Sequence, residues 1–265
     1  MRIALERVSA GYGGRTVLRD VDLGLGDGEL LAVIGSNGAG KTTLLRVIAG
    51  VLRPYAGTVR LDGRPMSAYS PREVARRIGA VAQTPEANLD FTVEELVELG
   101  RLPYLRFPDR LSHRDRAAVG RALELTGLVG LAGRRLSTLS GGERRRAFIA
   151  VALAREPEVL LLDEPMAHLD LKAQVELLAL FRGWAAEGVT VVATSHDLNL
   201  AAAFPRLALF GAGRLLARGA PAEVLTPEGI REAFGVEAAV FRDPHTGAVH
   251  IRYLPPPPGA VRTAP

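Results

Sequence analysis

The sequence predicts an α/β fold with a parallel central sheet, an N-terminal antiparallel β subdomain and an inserted α-helical subdomain. Short runs that are apolar on both faces lie at residues 29–34, 159–162 and 189–193, as expected for central strands of a parallel sheet. Alternating stretches and an SAGYGG turn within residues 3–25 indicate antiparallel strands. Helical periodicity prevails from about residue 92 to residue 154, so we expect a mainly helical insertion there.

These patterns divide the chain into three parts. Residues 1–83 and 155–240 form the core, residues 84–154 the helical subdomain, and residues 241–265 a C-terminal hairpin and tail. The turn at 243–247 predicts the hairpin, because it separates the short strand-like stretches 239–241 and 249–251. The four prolines at 255–258 indicate a polyproline-type tail without a core of its own.

The first run of chemically informative residues follows the first apolar strand. It fits the phosphate-binding pattern G-x-x-x-x-G-K-[ST] and comprises Gly35, Ser36, Asn37, Gly38, Ala39, Gly40, Lys41 and Thr42, with Thr43 next. A strand precedes it and a helical pattern at 41–50 follows, so a chance glycine-rich turn is the weaker interpretation. We expect backbone N–H groups to surround a phosphate, Lys41 to reach the β- and γ-phosphates, and the Thr42 hydroxyl to bind Mg²⁺. Kinases, GTPases, helicases and transport ATPases remain open at this point.

Two adjacent carboxylates, Asp163 and Glu164, follow the second apolar strand. Ligands of α/β sheets bind at the carboxyl ends of strands, which is where this pair stands. Asp163 is placed to hold Mg²⁺ through water, and Glu164 to orient or deprotonate an attacking water. Alone, the pair would indicate a helix cap or a solvated turn; the apolar strand and the phosphate-binding loop favour phosphoryl transfer to water.

A further motif, Leu139-Ser140-Gly141-Gly142-Glu143, precedes a stretch that carries Phe148 and Val151 on one side. With it, the chain resembles the ATP-binding subunits of ABC transporters over essentially its whole length. The resemblance implies a P-loop ATPase that uses ATP and Mg²⁺. It implies that Tyr12 stacks on adenine, that Gln83 binds Mg²⁺ or the attacking water, that Asp170 lies in the D-loop, and that His196 bonds the γ-phosphate.

The resemblance also implies a homodimer. In that family the residues matching Ser140 and Gly142 contact the γ-phosphate bound to the opposite subunit, so two head-to-tail subunits enclose two ATP molecules. Two departures occur: Glu143 replaces a commoner Gln, and the D-loop at 166–170 lacks its commoner leading Thr. Neither removes a catalytic group, so we expect a competent ATPase.

Residues 91–104, 196–201 and 223–244 resemble the branch that serves importers of ferric siderophores, haem and cobalamin. We therefore expect integral-membrane permease subunits to dock near residues 83–104, with a substrate-binding protein as an indirect partner, at the cytoplasmic face of the cell membrane. Manganese or zinc importer ATPases remain an alternative. A soluble, non-transport ABC ATPase is another, although we see no coiled coil, second cassette or nucleic-acid element. The motifs argue against a P-loop kinase.

Composition excludes several other classes. The absence of cysteine removes disulfides, thiolate metal sites and cysteine nucleophiles. The net charge of +4 comes from arginines spread along the chain, so we expect no nucleic-acid partner. The N-terminus has no apolar stretch of signal-peptide length, and no apolar run in the sequence is long enough for a membrane-spanning helix. The run Arg144-Arg145-Arg146 either adds positive potential facing the partner's ATP or forms a solvated or salt-bridged face; both interpretations stay open.

Overall fold

The computed structural model describes residues 1–83, 90–105 and 110–255. The strands are β1 Ile3–Tyr12, β2 Arg15–Leu25, β3 Leu30–Ile34, β4 Ala56–Leu61, β5 Arg64–Pro65, β6 Ile78–Val81, β7 Val159–Leu162, β8 Thr190–Ser195, β9 Arg206–Gly211, β10 Arg214–Gly219, β11 Ala238–Arg242 and β12 Val249–Tyr253. The α-helices are α1 Lys41–Ile48, α2 Pro71–Arg77, α3 Val93–Glu98, α4 His113–Leu125, α5 Gly141–Leu153, α6 Leu171–Ala186, α7 Leu198–Ala201, α8 Pro221–Val224 and α9 Pro227–Phe234.

The central sheet has the strand order β10-β9-β3-β8-β7-β6. Strands β9, β3, β8, β7 and β6 run parallel, which confirms the predicted sheet, while β10 joins one edge antiparallel to β9. All five residues of β3 and all four of β7 are buried, as their unbroken apolar character requires. Because the strands are parallel, β3, β6, β7 and β8 all deliver the residues that follow them to one edge of the sheet.

The apolar core forms two layers, one on each face of this sheet. Leu31 and Val33 of β3 join the antiparallel sheet and α1, whereas the alternate residues of β3 join α6 and the helical segment. This division follows from the two-residue side-chain repeat of a strand. The antiparallel sheet has the order β2-β1-β4-β5 and confirms the prediction for residues 3–25.

Between β6 and β7, the described part of the chain is helical. Helices α3, α4 and α5 pack on one another, and Arg101, only 1% exposed, is held by the Asp115 carboxylate at 2.8 Å and the Ala154 carbonyl at 2.7 Å. Helix α5 buries Ile149 and Leu153. Phe148 and Val151, which the sequence places on one side of this helix, are only half-buried. No helix among the described residues has the length and apolar character needed to span a membrane.

The predicted C-terminal hairpin is present as the antiparallel pair β11 and β12. It begins at Ala238, a few residues before the expected start of the C-terminal part. The side chain of Asn199, in α7, joins it to the core by pairing with both backbone groups of Ile251, at 2.8 and 3.2 Å. The proline-rich tail, apart from Pro255, lies outside the described residues, as do residues 84–89 and 106–109 of the predicted helical subdomain.

Candidate functional site

The loop between β3 and α1 has a backbone that only glycine accommodates at several positions. Gly38 and Gly40 adopt positive φ angles of 81° and 100°, in the left-handed region that disfavours other residues. A Cβ at Gly40 would lie 2.8 Å from the Leu18 side chain, and one at Gly35 would lie 2.5 Å from the Phe210 carbonyl oxygen. The glycine pattern in the sequence therefore reflects close backbone approach, as predicted for a phosphate-binding loop.

The Lys41 side chain folds back onto this loop. Its buried Nζ donates hydrogen bonds to the carbonyl oxygens of Gly35 at 2.7 Å and Ser36 at 3.1 Å. Burial lowers the pKa of Lys41, and the nearby Glu164 and Asp163 carboxylates oppose that shift. The lysine is thus held beside the loop with two carboxylates close by.

The start of α1 fits a bound anion. Its N-cap, Gly40, provides no side-chain cap, and its first turn contains no acidic residue. The first N–H groups of an α-helix have no intrahelical partner and carry partial positive charge. Together with the ammonium of Lys41, they form a donor set suited to the phosphates of a nucleotide.

Asp163, directly after β7, accepts two hydroxyl hydrogen bonds. The Thr42 hydroxyl donates to Oδ2 and the Thr194 hydroxyl to Oδ1, each at 2.7 Å. Residues distant in the sequence thereby bring hydroxyl and carboxylate oxygens together beside the loop. Oxygen donors of this kind are those that Mg²⁺ prefers, so this group fits the ion.

Glu164 is buried and has a positive φ of 46°, a conformation that costs on the order of 1–3 kcal/mol for a residue other than glycine. Its N–H donates to Thr194 Oγ1 at 2.8 Å. Its carboxylate accepts from Gln83 Nε2 at 3.0 Å and lies 3.2 Å from His196 Nδ1. Gln83 follows β6 and His196 follows β8, so three adjacent strands, of which β7 is central, place these side chains together.

The remaining predicted residues lie apart from this cluster. Ser140 and Glu143 cap α5 reciprocally, so Glu143, which stands where the family commonly has Gln, has a structural role. The hydrogen bonds from the Ser140 backbone and side chain lower the pKa of Glu143. Asp170 caps α6 by accepting from the Ala173 N–H at 2.8 Å. Tyr12, at the end of β1, is 43% exposed, and its hydroxyl accepts from Arg46.

The structure narrows the interpretation of the arginine run. Arg146 pairs with Glu176 of α6 at 3.5 Å, and Arg145 donates to backbone carbonyls at the ends of β6 and β7. These two guanidinium groups are thus bonded within this chain, and the contribution of the run to positive potential facing the partner's ATP stays a prediction. The sequence does not predict Thr194 as a site residue, and it marks Arg145 only as one of three consecutive arginines. The apolar pattern predicts a third strand that ends at residue 193, but β8 continues to Ser195 because Thr194 and Ser195 pair with Val33 and Ile34.

The phosphate loop, the lysine and the paired carboxylates define a P-loop nucleotide-hydrolysing protein. The chain belongs to the ABC transporter family: the model of that family, described as "ABC transporter", matches residues 18–167. It is an ATP-binding cassette, the ATPase component of such transporters.

Relatives and solved structures agree with this assignment. The chain is 41% identical to the ferric enterobactin transport ATP-binding protein FepC of Escherichia coli, over 93% of this chain and 92% of that protein. It is 43% identical to the hemin import ATP-binding protein HmuV of Rhodopseudomonas palustris, over 92% and 95%. A structure described as an inward-facing conformation of a putative metal-chelate type ABC transporter superposes with a TM-score of 0.82 at 28% identity, covering 96% of this chain and 97% of that one. The predicted family, fold and importer branch are thereby confirmed.

Proposed function

We propose that this chain is the ATP-hydrolysing subunit of an importer for an iron chelate, either a siderophore complex or haem, or for cobalamin. The observation that carries the proposal is the Glu164 carboxylate, held by Gln83 and His196 beside Lys41 and Asp163. The relatives' names support the cargo class, since they transport ferric enterobactin or import hemin. The chain would work as a homodimer with two permease subunits at the cytoplasmic face of the membrane.

Each residue of the cluster has a chemical role in this proposal. The loop at 35–40 and the N–H groups of Lys41, Thr42 and Thr43 bind the phosphates, while Lys41 Nζ offers a positive charge to them. Thr42 and Asp163 would hold Mg²⁺, with Gln83 as a further ligand, and the bound ion would neutralise charge on the phosphates. Glu164 accepts a proton from the attacking water, and Gln83 and His196 hold its two carboxylate oxygens in place.

A second copy of the chain completes the site. Ser140, Gly141, Gly142 and Glu143 at the start of α5, and Asp170 at the start of α6, are bonded within their own helices. Ser140, Gly141 and Asp170 are exposed, and Gly142 and Glu143 are half-buried. We propose that these helix starts meet the ATP bound to the opposite subunit, while Tyr12 stacks on the adenine of its own.

A groove of about 610 Å³ supports the permease proposal. It is lined by the end of α1 and the following turn, by β4 and by α2, with apolar side chains that include Val51, Met66 and Val74. Arg155 also lines the groove, and its carbonyl accepts a hydrogen bond from the Tyr104 hydroxyl at 2.7 Å, so the groove lies next to the segment expected to dock. The Nε of Arg155 is buried and has no hydrogen-bond partner within the described residues.

The occupant we propose is a helix from a cytoplasmic loop of the permease. Such a helix would bury the apolar lining, and an acidic side chain or its C-terminal carbonyls would complement the positive charge of Arg155. Val51 is 77% exposed and offers a site at which to disturb this contact.

The test is co-purification from detergent-solubilised membranes of the native host, using a tagged chain. We expect the wild-type chain to carry a multi-span permease, and Val51→Glu to lose at least about 10-fold of it while keeping its own ATPase rate. Val129→Glu is the matched control, because Val129 is also exposed, at 58%, and does not line the groove. A chain that never associates with a permease and is monodisperse in solution would refute the importer.

A further inference from the structure

We propose that Arg145 is a positioning residue that holds the backbone of Gln83 and Glu164 in the geometry needed for hydrolysis, and that it does so from the helix that begins at the Ser140 motif. The inference rests on the proposed roles of Gln83 and Glu164. Arg145 itself does not contact the reacting atoms in this proposal; it acts through the main chain of those two residues.

The contacts of Arg145 form a fork between two strand ends. At the end of β6, its NH1 donates to the carbonyls of Gln83 at 2.6 Å and Ala82 at 3.4 Å. At the end of β7, its Nε donates to the Pro165 carbonyl at 3.1 Å, and its NH2 donates to the carbonyls of Asp163, at 3.1 Å, and Glu164. Strands β6 and β7 pair in parallel with Val81 opposite Leu162, so both segments leave the sheet side by side.

Only a guanidinium suits this arrangement. Its donors lie in one plane and point in several fixed directions, whereas an ammonium is a single point with three donors. Arg145 is half-buried, and burial lowers its pKa while the Asp163 and Glu164 carboxylates oppose that shift. The cation is therefore surrounded by carbonyl dipoles at the edge of the sheet that carries the catalytic side chains.

The left-handed conformation of Glu164 makes this fork important. Its backbone is held on both sides, since its N–H donates to Thr194 and its carbonyl accepts from Arg145. The Gln83 carbonyl is bound by the same guanidinium, and the Gln83 and Glu164 side chains bond to each other at 3.0 Å. The Arg145 side chain on α5 thus holds the backbone of both Gln83 and Glu164. A shift of α5, whose first turn is proposed to face the opposite subunit's ATP, would be transmitted to Glu164.

The experiment compares wild type with Arg145→Gln, Arg145→Lys and the control Arg182→Gln. Arg182 also donates to a backbone carbonyl, that of Ala203 at 2.7 Å, but outside the site. ATPase rates are normalised to bound nucleotide, so that loss of folded protein does not count. We expect kcat of Arg145→Gln to fall about 100-fold with KM for ATP within about 3-fold, because displacement by a fraction of an ångström slows the reaction without removing phosphate contacts. Arg145→Lys should be intermediate, and Arg182→Gln should match wild type.

Hydrogen–deuterium exchange provides a readout that does not depend on hydrolysis. Arg145→Gln should speed exchange at Glu164 and Ala167, whose N–H groups are bonded at this turn, and Arg182→Gln should not. Unchanged exchange there, or a normalised kcat within about 2-fold of wild type, would overturn the role of Arg145. Failure of the wild-type chain to hydrolyse ATP would instead refute the proposed function, and the exchange result would still decide whether Arg145 holds the turn.

Discussion

Thr194→Val tests the hydrogen bonding beneath the catalytic carboxylates. The Thr194 hydroxyl donates to the Asp163 carboxylate at 2.7 Å and accepts from the Glu164 N–H at 2.8 Å, and the residue is 2% exposed. Valine has nearly the same shape but makes neither bond. A bond to a charged group contributes about 1.5–3 kcal/mol, and a buried N–H left without a partner costs about 1–3 kcal/mol.

The expected loss is therefore about 3–5 kcal/mol of unfolding free energy, or roughly 10 °C in Tm for a domain of this size. It can be measured by thermal or urea denaturation. We also expect kcat to fall about 100-fold, since Asp163 and Glu164 would both lose a fixed partner.

Thr190→Val is the matched control on the same strand. Thr190 is equally buried, but its hydroxyl makes one neutral bond, to the Gly26 carbonyl at 2.7 Å, at the opposite end of β8. It should cost about 1 kcal/mol and leave kcat unchanged. A Thr194→Val variant that is no less stable than Thr190→Val, or an equal loss of activity in both variants, would exclude this role of the Thr194 hydroxyl.

Two further predictions concern nucleotide binding. Lys41→Arg should weaken ATP binding at least about 10-fold in a calorimetric titration. The reason is that the larger planar guanidinium cannot replace a buried ammonium that donates to the carbonyls of Gly35 and Ser36. An unchanged Kd would contradict this. Tyr12→Ala should weaken ATP binding about 10-fold through loss of stacking, while Tyr12→Phe keeps the ring and loses only the bond from Arg46; equal Kd values for the two variants would refute adenine stacking.

Local sequence patterns were sufficient for the framework of the site. The runs that became β3 and β7 are apolar throughout, and the glycine spacing before Lys41 is dictated by the backbone, so both could be predicted within a residue or two. Asp163 and Glu164 stand directly after a buried strand, which predicts the edge of the sheet where they lie.

Other features of the site depend on tertiary contacts that local sequence patterns do not predict. Strand β6 contains Gly79 and Ala80, which have little strand preference, and it is a strand because it pairs with β7. Three consecutive arginines give the same local signal, and only the fold directs Arg145 to carbonyls and Arg146 to Glu176. The contact of Glu164 with Gln83 and His196 joins segments that are far apart in the chain. The family resemblance, and not their spacing in the sequence, predicts the roles of Gln83 and His196.

In the proposed mechanism, Glu164 activates water in a site that two copies of the chain share. Its most direct test is Glu164→Gln, measured by ATP hydrolysis and by light scattering in saturating ATP and Mg²⁺. We expect hydrolysis to fall about 100- to 10,000-fold and the 28.2 kDa chain to double in mass as an ATP-bound dimer. A variant that hydrolyses ATP at the wild-type rate, or that stays monomeric with ATP bound, would contradict it.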